Sequence, residues 1–130
     1  MSKVSAAQLA KFRKELRDHA GAITALTVLE RCKGDIEAAV EAVLNRTQVT
    51  FTSSAGWLDQ IGQQIICDNL IARKSLPKLA NIAVGIVGSA HNIPAPLTAA
   101  LAVLVAVYLE VKIDYYCNFK SSIPQPTALN

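Results

Sequence analysis

Between Leu97 and Leu109 the chain reads Leu-Thr-Ala-Ala-Leu-Ala-Val-Leu-Val-Ala-Val-Tyr-Leu, without a single charge. A helix that is apolar all round has to be covered all round, so this run dictates what the rest of the chain must supply. Its length narrows the choice. A helix that crosses a bilayer needs about 20 apolar residues, and Glu110, Lys112 and Asp114 close this one well short of that. The length favours the central helix of a small bundle, clasped by the helices before it. Two other coverings stay open: lipid around a membrane-active helical hairpin over residues 76–117, or an interface with a second copy or another protein. Ala95, Ala99, Ala102 and Ala106 form a stripe of small side chains, while Leu97, Leu101, Leu104, Val105 and Tyr108 form a bulky face. Small side chains let a neighbouring helix come close and large ones fill a core. The bulky face is therefore expected to serve as core or as a self-association surface. Gly85 and Gly88 are the expected close-contact partners of the small stripe.

Composition points the same way. Hydrophobic residues make up 52% of the 130 positions and charged residues only 18%, more apolar than an ordinary soluble domain. The net charge of +3 is mild and its two signs are mixed, which argues against a nucleic-acid partner. The basic face of the first helix, Lys11, Arg13, Lys14 and Arg17, is interleaved with Glu15 and Asp18 and lacks an aromatic stacking platform. Cys32, Cys67 and Cys117 are odd in number, far apart and without a CxxC pair. Neither a disulfide framework nor a zinc site is expected, and reduced thiols suit a cytoplasmic protein. The first residues, Met1 to Gln8, lack the apolar core of a signal peptide.

Helical spacing recurs along the chain. Ser5 and Gln8 stand as a capping box before Leu9, Phe12 and Leu16. Gly21 is the expected stop of that helix, through a positive φ. A second helix over about 22–32 buries Ala25, Leu26, Leu29 and Cys32. Gly34 ends it, and Asp35 caps a third helix whose Ile36, Ala39, Val40, Val43 and Leu44 follow the i, i+3, i+4, i+7, i+8 pattern. Residues 47–56 break the rhythm with Thr, Val and Gly and are assigned to a linker. Ser54 is the expected cap of a fourth helix over about 55–74, Ser75 and Pro77 open a fifth, Gly88 to Asn92 make a turn, and Pro94 and Pro96 launch the last helix toward Cys117. The expected organisation is a three-helix bundle over 1–46, a linker over 47–56, an apolar helical bundle over 57–119 and a disordered tail over 120–130. The fold class is all-α.

The chemistry-bearing residues are sparse. His19 and His91 fall in different loops, and a catalytic dyad needs a nucleophile held beside one of them. Cys67 facing His91 is the only such pairing to consider, and a buried structural thiol is the simpler reading. Glu110 and Asp114 share a helix face with no histidine beside them, which fits a solvated face rather than a metal site. Trp57, beside the linker, fits a packing anchor between the parts. No phosphate loop or nucleophile elbow occurs. No enzyme activity, cofactor or metal is expected.

Residues 9–46 resemble the ubiquitin-associated (UBA) type of three-helix module. The residues that carry the likeness are Ala25 to Leu29, the run Cys32-Lys33-Gly34-Asp35-Ile36-Glu37-Ala38-Ala39-Val40-Glu41, and Val43-Leu44. The same run, with Glu15 to Ala22, is similar to the N-terminal module of bacterial elongation factor Ts. Asp18-His19-Ala20-Gly21 stands where ubiquitin binders carry a Met-Gly-Phe loop, so the resemblance implies a protein ligand without naming it. It implies a partner-binding patch made of His19, Ala20, Gly21, Val43 and Leu44. The expectation is then a non-enzymatic adaptor or regulatory module. It binds a protein through that patch, and its C-terminal helices give self-association into a homo-oligomer or a second contact. The alternatives are the membrane-active hairpin, regulated by the first bundle, and a translation-associated factor.

Overall fold

The computed structural model describes residues 3–47, 49–62, 76–90 and 93–113. Among them lie six helices and no strand: α1 (Ala6–Glu15), α2 (Ala22–Arg31), α3 (Ile36–Leu44), α4 (Ser54–Gly62), α5 (Leu76–Ala90) and α6 (Ala95–Ile113). The chain is all-α. The second half of the expected fourth helix, the Cys67 and His91 positions, Asp114, Cys117 and the tail lie outside the described residues.

The helix ends follow local chemistry. Ser5 Oγ accepts from Gln8 N–H at 3.1 Å, and Ser5 N–H donates to Gln8 Oε1 at 3.0 Å, so the capping box is formed. Phe12 and Leu16 are buried behind it. At the end of α2, Gly34 N–H reaches Leu29 O and Lys33 N–H reaches Glu30 O, both at 2.9 Å. This is a Schellman closure, and it places Lys33 at φ 58° and Gly34 at φ 83°. Gly34 also receives the N-terminal segment, since Val4 N–H donates to Gly34 O at 2.8 Å and the backbones of Lys3 and Asp35 form an isolated antiparallel β-bridge. Asp35 Oδ1 then accepts from Ala38 N–H at 3.1 Å and starts α3. Lys33 is the uneconomical choice, because an L-residue in the left-handed region costs about 1–2 kcal/mol. Lys33→Gly is expected to stabilise the fold by about 1 kcal/mol, a rise of about 3–5 °C in the melting temperature by calorimetry.

Three expected boundaries differ. Gly21 is not a positive-φ stop: α1 ends at Glu15, and Gly21 has φ −91° at the N-terminus of α2. The cap of α4 is Ser53 rather than Ser54, since Ser53 Oγ accepts from Gly56 N–H at 3.0 Å while Ser54 is already helical and buried. Ser53→Ala is expected to cost about 1 kcal/mol in chemical denaturation, and Ser54→Ala leaves this cap intact. Finally, α5 runs through Gly88 and Ser89 instead of turning there. A Cβ added at Gly88 would stand 3.8 Å from Thr98 Cγ2 of α6, an ordinary contact distance.

The question posed by the apolar run has its answer in the packing. Every residue from Ala100 to Leu109 is buried. Helix α6 packs against α2, α3, α4 and α5, with α5 its most extensive neighbour. One continuous hydrophobic core therefore joins Phe12, Leu26, Leu29 and Leu44 to Leu58, Leu79, Leu101 and Leu104. The expected boundary at 47–56 separates stretches of sequence but not two cores: Val49 and Phe51 pack against the same interior. Among the described residues, no helix is long and apolar enough to cross a membrane.

The two polar side chains of the run are both satisfied. Thr98 Oγ1 donates toward Ile93 O and Pro94 O, at 3.1 and 3.2 Å, within the first turn of α6. Tyr108 Oη donates to Asp59 Oδ1 of α4 at 2.8 Å. A buried hydroxyl without such a partner would cost about 1–3 kcal/mol. Pro96 sits in the first turn of α6, where its missing N–H is not called upon.

Candidate functional site

The loop from Leu16 to Gly21 is held by its own backbone. His19 N–H donates to Leu16 O at 2.9 Å, and Ala22 N–H to His19 O at 3.1 Å. The imidazole folds back on the loop, with Gly21 N–H directed at His19 Nδ1 at 3.4 Å. His19 is half-buried and Ala20 is exposed, but Gly21 is buried. The cause is helix α6. A Cβ on Gly21 would fall on the carbonyl of Ala99 and 2.7 Å from Ala100 N. Glycine is present because another backbone crosses there. The small stripe of α6 does find a close partner, and it is Gly21. Gly85, by contrast, has nothing within 4 Å of its Cβ position.

Of the residues that the resemblance implies for a partner-binding patch, Gly21, Val43 and Leu44 are buried, His19 is half-buried and Ala20 is exposed. Val43 and Leu44 have no accessible area, and α3, which carries them, packs against α4 and α6. An all-apolar α6 needs apolar neighbours on every side, and α2 and α3 provide them. The bulky face of α6 is likewise interior. Leu101, Leu104 and Val105 are fully buried, Tyr108 nearly so, and Leu97 is half-buried at the first turn. Those residues are core, and Ala100 to Leu109 leave no apolar stripe of α6 open to a second copy.

Two large hydrophobic side chains stand exposed among the described residues: Ile23, at 76% of its full exposure, and Val111, at 38%. Ile23 lies in the first turn of α2, three positions along the chain from exposed Ala20. The pattern of α2 could have shown this. Ala22, Ala25, Leu26 and Leu29 take the buried stripe, which turns Ile23 away from it.

Elsewhere the surface is mixed. A shallow depression on α1 is lined by Lys11, Lys14, Glu15, Arg17 and Asp18, with Lys11 Nζ 3.9 Å from Glu15 Oε2. Both signs meet there, so it offers no concentrated field to an anion. Arg13 reaches across to Glu30 at 2.9 Å and ties α1 to α2. A groove of about 400 Å³ runs between residues 50–53 and the first turns of α4, with Phe51 and Trp57 among its walls. Trp57 itself is buried, in keeping with a packing anchor beside the linker.

Of the cysteines, Cys32 is the one within the described residues, and its thiol is free and half-buried. Burial, and then the nearby Asp35 carboxylate, push this thiol above its ordinary pKa. Both effects disfavour the thiolate, which is the reactive form, so Cys32 is suited to packing rather than to nucleophilic attack. Among the described residues, no group of three or more His, Cys, Asp or Glu side chains is placed to hold a metal ion.

Comparison with family models, with curated proteins and with solved structures gives no match. The reading of this surface therefore rests on its residues.

Proposed function

We propose that the chain is a non-enzymatic protein-interaction module that engages its partner through the corner formed by His19, Ala20 and Ile23. One observation carries this reading: the loop to which the UBA-type resemblance assigns partner contact is followed at once by a β-branched aliphatic side chain at 76% exposure. Gly21, Val43 and Leu44 are buried: Gly21 lies against the α6 backbone, and Val43 and Leu44 belong to α3, which packs on α2, α4 and α6. The contact is small and apolar at its centre, with Thr24 and Arg17 exposed nearby in sequence as a polar rim. A partner that fits it offers a pocket for one aliphatic side chain. Such a pocket can concentrate binding energy on a single anchor residue.

Because Ile23 and Ala20 are exposed, they can be changed without opening the core. The double variant Ala20→Glu/Ile23→Asp is expected to keep the melting temperature within about 2 °C of the parent. It should lose at least about tenfold in affinity for the protein captured by the parent from its native host, since burying an aliphatic side chain is worth about 1.5–3 kcal/mol. Affinity is measured by calorimetry with the captured protein. Val111→Asp serves as a control at the other exposed aliphatic side chain. If the corner variant bound as tightly as the parent, the corner would not be the binding surface.

A further inference from the structure

We draw no further inference here: the strongest candidate, the groove between residues 50–53 and the first turns of α4 with Phe51 and Trp57 in its walls, carries nothing because no feature of the structure shows what covers it.

Discussion

Val43→Asp and Leu44→Asp are each expected to abolish cooperative folding. Both positions are fully buried, at the end of α3 where it meets α4 and α6. Each substitution removes an aliphatic side chain, at a cost of about 2–5 kcal/mol for a leucine truncated to alanine. Each also places a carboxylate where water does not reach. That carboxylate either ionises without solvation or binds a proton at an unfavourable pH, and several more kcal/mol are lost. The sum rivals the whole stability of a small domain, about 5–15 kcal/mol. The measurement is a urea titration followed by far-ultraviolet circular dichroism. A transition close to the parent's would mean that α3 lies on the surface and that the packing of α6 on it is wrong. The same substitutions cannot serve as probes of binding. A lost partner would report only an unfolded chain, which is why the surface corner is tested at Ala20 and Ile23 instead.

Gly21→Ala is the second large effect, and it is large for one methyl group. The new carbon would overlap the carbonyl of Ala99 and come 2.7 Å from Ala100 N. Helix backbone cannot rotate out of the way as a long side chain can, so α6 has to move bodily from α2. Overpacking of this kind costs about 3 kcal/mol, close to 10 °C or more in melting temperature for a domain of this size. Gly85→Ala is the matched comparison. It sits inside α5 with an open Cβ position, and replacing a helical glycine by alanine gains about 0.5–1 kcal/mol. Opposite signs for the two variants, read in the same denaturation experiment, would place the close helix crossing at Gly21. Equal effects would remove it.

The comparison between residues and structure turns on which forces are local. The capping box at Ser5, the cap at Asp35 and the buried stripe of α3 were all legible, because each depends on neighbours within a turn or two. The all-α class followed from the same signals. The role of Gly21 was not legible: its backbone angle is ordinary, and what demands glycine is a helix more than half the chain away. The spacing of α3 also puts Val43 and Leu44 on its buried stripe, and only the UBA-type resemblance implies a surface role for them. The run at 97–109 asks for apolar neighbours, and α2 and α3 are among the helices that supply them. The exposure of Ile23 is legible in the same way, since the spacing of Ala22, Ala25, Leu26 and Leu29 places it off the buried stripe.

Helix α6 also sets an order of events. It is the interior element against which α2, α3, α4 and α5 all rest, yet residues 95–113 follow every one of them in sequence. During synthesis the earlier helices emerge with their apolar faces bare, and none of them can finish burying those faces before α6 arrives. Closing contacts as distant as Gly21 with Ala99 requires a long loop to be drawn in, which slows folding relative to bundles built from adjacent helices. The nascent chain thus passes through a window in which its most adhesive surfaces are exposed together, and the last helix described is the one that ends it.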